Sequence, residues 1–357
     1  MKRWRSWLSV PVMALLLALA SAPILYWIRL CCPAAWTAAL FLLIWVGIPL
    51  TLPLCHILRG ERLRIALHLL AEMWLILALA LWLGSAAAWL CRLALLRRDA
   101  WKTPCVCAFL AVLSGYLLLG GANAAIFRTR RRKVTLGLEK PLRIALLSDL
   151  HLGFFTTRGM LRRVVRAVNR ENADLVLIAG DFFDMDMDSL RHPAECRELL
   201  RSLSGRYGVY GCLGNHDFYL IDRRKDEFLR ASGITVLLDE AVRFGDLTVL
   251  GRRDRTDPAR QPWQALRPED GEKLLVLDHS PAAWRNYVGS ADLLLCGHTH
   301  GGQTFPLDVL QKLLMKYPVY GLKRREGLNV CVTSGAGFWG PPVRVGVCSE
   351  AVILEVE

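Results

Sequence analysis

The chain has 357 residues, 54% of them hydrophobic, a mean hydropathy of +0.31 and a formal net charge of +13. That length allows two domains, and so apolar a composition excludes a disordered chain and an ordinary soluble one. Residues 1–133 hold 16 Lys/Arg against 3 Asp/Glu while residues 134–357 hold 29 of each, so the excess charge lies in the apolar half and is no nucleic-acid footprint, which belongs on a folded domain.

Four apolar runs come first: 10–28, 34–55, 65–91 and 105–127. Each has about the ~20 residues that span a bilayer. The expectation is a transmembrane region of about four helices over 1–133, since a cleaved leader would explain the first run alone. With the N-terminus inside, eleven flanking Lys/Arg fall on the inner side and five on the outer, which sets the second half in the cytoplasm of a multi-pass inner-membrane protein. His68 and Glu72 stand four apart in the third run and read as a helix–helix hydrogen-bonding pair or an intramembrane functional pair. The eleven cysteines contain no CxxC pair, which argues against a zinc ribbon and leaves them as small apolar residues. Cys31 and Cys32 are read as packing residues rather than acylation sites.

From 134 the texture alternates. Strands are predicted within 142–150, 173–181, 206–217, 272–281 and 291–300, and helices over 156–172, 193–204 and 221–232. Met160, Leu161, Val164, Val165 and Val168 mark one face of the first helix. "LNVCVTSGAG", "VRVGVC" and "AVILEVE" read as further strands, enough for two sheets packed face to face between helices.

Each of the five main strands runs out into polar residues. In order these are Asp149 and His151, Asp181, Asn215, His216 and Asp217, His279, then His298 and His300. Ligands sit beyond the carboxyl ends of strands in such sheets. If the backbone stays extended, His298 and His300 point the same way. Mixed carboxylate, amide and imidazole donors suit Mn, Fe or Zn. Their number exceeds one four-ligand site and suits a two-metal centre with the cations about 3.5–4 Å apart. The acidic loop with Asp184, Asp186 and Asp188 lacks the glycine and terminal glutamate of a calcium loop and reads as solvated, with Asp184 close behind the site.

The series D-x-H, G-D, G-N-H-D, H, G-H-T-H resembles the calcineurin-like metallophosphoesterase superfamily over residues ~140–357. "GHTHGGQ", "DHSP" and "SGAGFWGPPVR" look like its YkuE/YaeI-type membrane-associated bacterial subgroup. The resemblance implies a four-layer α/β/β/α sandwich over 134–357 behind the transmembrane bundle. It implies that Asp149, His151 and His300 bind a first divalent metal, that Asn215, His279 and His298 bind a second, and that Asp181 bridges both. His298 and His300 would then diverge onto neighbouring cations. A hydroxide between the metals would be the nucleophile, with His216 beside the scissile phosphate and Asp217 orienting its imidazole. The expected activity is phosphomono- or phosphodiester or pyrophosphate hydrolysis.

Residues 304–327 mix apolar and basic side chains, which suits a lipid-linked substrate such as UDP-2,3-diacylglucosamine at a membrane surface, or a lid helix packed on the domain. No nucleic-acid partner and no obligate protein partner is expected. The other class of function is a membrane scaffold or sensor that binds a nucleotide or lipid headgroup without turnover.

Overall fold

The computed structural model describes residues 102–357 except 157, 186, 220–222 and 267–272, together with the isolated positions 63, 66, 70, 73 and 84. Apart from those isolated positions, the first three apolar runs lie outside the described residues, as do His68, Glu72, Cys31 and Cys32. The fourth run forms helix α1 (Lys102–Ala125). Its stretch Cys107–Ala125 is, by length and composition, the one helix among the described residues that could cross a membrane. The chain divides into compact units at Leu117/Leu118, and the later unit carries the sheets.

The basic run read as a membrane flank is a strand. β1 (Phe127–Val134) pairs in parallel with β12 (Ser349–Val356) along its whole length. Its arginines are tolerated because β1 is an edge strand, where charge is the usual guard against further pairing. The first sheet runs β1-β12-β2-β3-β4-β5 with β2 (Leu142–Leu147), β3 (Leu175–Ala179), β4 (Val209–Cys212) and β5 (Thr235–Val236). The second runs β10-β11-β9-β8-β7-β6 with β6 (Glu240–Phe244), β7 (Leu247–Gly251), β8 (Lys273–Leu277), β9 (Leu293–Cys296), β10 (Gly321–Arg325) and β11 (Leu328–Val332).

Strand alternation decides the layers. Ile144, Leu146, Leu175 and Leu177 point inward and meet Val249, Leu275, Leu277 and Leu295 of the second sheet. Ala145, Leu147, Val176 and Ile178 point outward against α2 (Arg158–Asn169), α3 (Pro193–Arg201) and α5 (Arg223–Ala231). The face of α2 that is buried consists of the five apolar residues its spacing marks. Outside the second sheet, Leu274, Val276 and Leu294 are covered by Trp263, Trp284 and Tyr287 on two 3₁₀ turns. Among the described residues, short 3₁₀ turns rather than α-helices therefore cover that face, where the fourth layer was expected.

Two further expectations change. "VRVGVC" is not a strand, because its amides bond to loops: Arg344 N–H donates to the Gly120 carbonyl and Val345 N–H to that of Gln303. Residues 304–327 form α6 (Leu307–Leu314) and then β10.

Candidate metal centre

β2 to β5 run parallel, as do β7, β8, β9 and β11, so each set ends at a common edge. Asp149 and His151 follow β2 and Asp181 follows β3. Asn215 to Asp217 open α4 (Asn215–Tyr219) beyond β4, His279 lies beyond β8, and His298 and His300 lie beyond β9. The two sheet edges bring these side chains together.

The backbone does not stay extended there. Asp149, His151, Asp181, His298 and His300 take φ of 51°, 43°, 53°, 71° and 52°. The left-handed region costs a residue with a Cβ roughly 1–2 kcal/mol, and it persists where surrounding packing over-determines it, as functional sites do. Gly180 and Gly297 permit the close approach that results. A Cβ at Gly180 would stand 2.7 Å from His279 Nδ1, and one at Gly297 would collide with Ser148 and Asp149.

His298 and His300 point to different places. Asp149, His151 and His300 form one group and Asp181, His279 and His298 another, each with its donor atoms within 4.8 Å of one another. In the first, His151 Nε2 faces His300 Nε2 at 3.1 Å and Asp149 Oδ1 lies 3.4 Å from the latter. In the second, His279 Nε2 lies 3.2 Å from His298 Nδ1, 3.1 Å from Asn215 Oδ1 and 3.2 Å from Asp181 Oδ2. Asp181 Oδ2 is also 3.7 Å from His151 Nε2, so this carboxylate reaches both groups.

Facing nitrogens of this kind are neighbours only if a proton or a cation lies between them. Burial and His151 hold His300 well below the ordinary imidazole range, and burial and His279 lower His298. Burial also pulls on His279, but Asp181 and Asp149 raise it well above. Burial alone would raise the Asp181 carboxyl, whereas His279 and His151 hold it far below. Each group thus joins a neutral imidazole, the ligating form, to a carboxylate. The donor set fits divalent cations bound through nitrogen and oxygen.

His216 is half-buried beside the first group. Its Nδ1 donates to the Asp184 carbonyl at 2.9 Å, which leaves Nε2 as the ring's other face, and its N–H donates to Asp181 Oδ1. Asp217 does not orient that ring. Its buried carboxylate accepts from the N–H groups of Gly214, Phe183 and Phe182 at 2.9, 3.1 and 3.4 Å. It follows His216 in a helical turn, which sends successive side chains in different directions, back toward the strand end it caps. Burial and the charge of Asp181 raise its carboxyl to about 6.

Two residues outside the nine predicted site residues stand close to the site: Asp184, expected close behind it, and Arg344, which the sequence did not mark. Asp184 lies 3.4 Å from His151 Nδ1, and with His151 and His216 it makes a third cluster. Its three-residue offset from Asp181 in "GDFFD" was the available signal. Arg344 is fully buried and its Nη2 donates to the carbonyls of Ser334 and Gly337 at 2.8 and 2.6 Å. Gly337 N–H in turn donates to the Asp149 carbonyl, so Arg344 braces the loop behind Asp149. Nothing in an arginine beside two prolines marks it for burial.

Residues 142–302, which contain all nine predicted site residues, match the family described as calcineurin-like phosphoesterase. The chain is 34% identical over 228 residues to an uncharacterized metallophosphoesterase of Helicobacter pylori (strain J99), covering 61% of this chain and 60% of that relative's length. It is 30% identical over 263 residues to an uncharacterized metallophosphoesterase of Aquifex aeolicus, covering 70% of this chain and 98% of the other. A "transmembrane protein with metallophosphoesterase domain" from Danio rerio is 34% identical over 229 residues, covering 58% of this chain and 52% of that one. Similarity along nearly the whole of one relative, together with a family match over every strand end that carries the site, means that the chain belongs to the calcineurin-like metallophosphoesterase family.

Proposed function

We propose that the protein is a membrane-anchored, two-metal phosphohydrolase acting on phosphomonoester, phosphodiester or pyrophosphate bonds. The observation that carries this reading is Asp181 Oδ2, which lies 3.2 Å from one imidazole of the second group and 3.7 Å from one of the first. A carboxylate in that place suits two cations. In this reading Asp149, His151 and His300 hold one, Asn215, His279 and His298 the other, and Asp181 contributes an oxygen to each. Divalent cations there would supply Lewis-acid chemistry, ionising water and neutralising charge on phosphoryl oxygens.

The protein's own groups do the rest. Asp184 fixes the His216 ring through its carbonyl, so that Nε2 can donate to the phosphoryl group or protonate the departing oxygen. Asp217 and Arg344 hold the loops that carry Asp181, Asn215 and Asp149. Membrane anchoring draws on the four apolar runs, on α1 and on the transmembrane name of the zebrafish relative.

The test is a screen of the full-length protein in detergent with Mn²⁺, against aryl phosphodiester, nucleotide, lipid and protein phosphoesters. Metal-dependent turnover of one class is expected. A preparation that binds metal and hydrolyses none of them would instead make this a binding module.

A further inference from the structure

Helix α6 is turned inside out. At 100° per residue, Leu307, Val309, Leu310, Leu313 and Leu314 share one side and Asp308, Gln311 and Lys312 the other. A helix on a globular domain normally buries its apolar side. Here Asp308 is the one residue of α6 that is buried, held by Lys312 Nζ at 3.2 Å and packed against Gly302. All five apolar residues are exposed, Leu313 at 76% and Leu314 at 64%. Phe305 and Met315 extend the patch at its two ends. Trp339, half exposed, is tied to Gln303 just upstream by two hydrogen bonds. Contiguous apolar surface of this kind marks a contact.

Two observations say what covers it. The first is charge. Lys312 and Lys316 are exposed on the same segment, and Lys323, Arg324 and Arg325 are exposed on the β10 edge strand that follows. Exposed apolar side chains on a segment that also carries exposed lysine and arginine suit a lipid surface, whereas protein interfaces are depleted in lysine. The second is continuity with α1. Arg344 N–H donates to the Gly120 carbonyl at 2.9 Å, and a Cβ on Gly120 would stand 2.5 Å from Val343 and 3.2 Å from Val345. Val345 N–H donates to the Gln303 carbonyl and Phe305 N–H to the Val345 carbonyl. One three-residue strap thus binds the end of an apolar helix long enough to cross a bilayer, whose Leu118 and Leu119 are exposed, and the residues that lead into α6.

We propose that α6 lies in the head-group region of the bilayer with Leu310, Leu313 and Leu314 toward the acyl chains. Gly302, on which Asp308 packs, belongs to the turn that begins with His300. The bilayer surface is then one layer of residues from the metal groups, and the substrate is a phosphoester carried by a lipid that stays in the membrane. The substrate clause rests on the phosphohydrolase reading; the docking clause does not.

The test places a photoreactive benzophenone amino acid at position 313 of the full chain, reconstituted in vesicles of phosphatidylethanolamine and phosphatidylglycerol. Phospholipid adducts, read by mass spectrometry, are expected at 313 and not at 240, an exposed position on the opposite edge strand of the second sheet. Absence of a lipid adduct at 313, or adducts there with a second copy of the chain, overturns the docking. In parallel, Leu310→Glu with Leu314→Glu should lower the ratio of turnover on bilayer-embedded to soluble phosphoester at least tenfold. An unchanged ratio overturns the substrate clause. If the unaltered protein hydrolyses no phosphoester while 313 still captures lipid, the catalytic reading falls and the docking stands.

Discussion

Replacing Asp217 by alanine separates two roles for one carboxylate. Adjacency to His216 suggests chemistry; the geometry makes the carboxylate a clamp on the turns beyond β3 and β4. Its oxygens accept from the amides of Gly214 at 2.9 Å and Phe183 at 3.1 Å, with a longer bond from Phe182 at 3.4 Å. The side chain is buried, so the amides left behind have no acceptor. An orphaned buried donor costs about 1–3 kcal/mol, and two good bonds put the loss at about 2–6 kcal/mol. In a unit of this size 1 kcal/mol moves the melting point by roughly 2–4 °C, so a drop of roughly 5–20 °C is expected. Asp217→Asn keeps one acceptor oxygen and should lose about half as much. Melting followed by tryptophan fluorescence, with chelator present so that metal does not contribute, gives the comparison. A melting point like the unaltered protein's, with activity lost, would refute the clamp and restore a direct part in the reaction.

The other site residues divide by readout. Asp181→Asn should abolish turnover and lower bound metal measured on the dialysed protein by elemental analysis; full metal content would contradict its bridging place. His216→Ala should keep its metal and lose about 10²–10⁴-fold in kcat, the usual worth of a positioned acid or base. Loss of metal in that variant would move His216 into the ligand set. Gly297→Ala should disturb the site from outside it, since its Cβ would meet Ser148 and Asp149; a variant that binds metal and folds as the unaltered protein does would show that the apposition is loose.

Much of the site was legible in the sequence because its signal is local. Each cluster of ligand-type residues follows a short apolar run of strand length that ends in a turn, which reads as a buried strand. The five-residue face of α2 was equally plain. What escaped depends on partners distant in the chain. Arg128 to Lys133 look like a membrane flank until β12, more than 200 residues later, offers them an edge to pair with. β6 and β7 (240–251) are short and interrupted by charge, so periodicity gives them little weight. "VRVGVC" has the alternation of a strand but no strand to lie against. The direction of Asp217 could not be read at all, because adjacency in a helical turn does not tell which neighbour a side chain faces.

The local strain at the site has a consequence for its metals. Five of the seven proposed ligand residues sit in the left-handed region, at roughly 1–2 kcal/mol each. Together that is about 5–10 kcal/mol, of the order of a whole domain's stability of about 5–15 kcal/mol. If sheet packing carries this cost, the loops are preformed rather than assembled around metal. Metal would then stabilise by mass action alone, about 2.7 kcal/mol at a hundredfold excess over Kd. The expected result is a melting point raised by roughly 5–11 °C with Mn²⁺ at that excess, with far-ultraviolet circular dichroism unchanged by chelation. Loss of ordered secondary structure on metal removal would mean that the cations, not the sheets, hold these residues in their unfavourable backbone conformation.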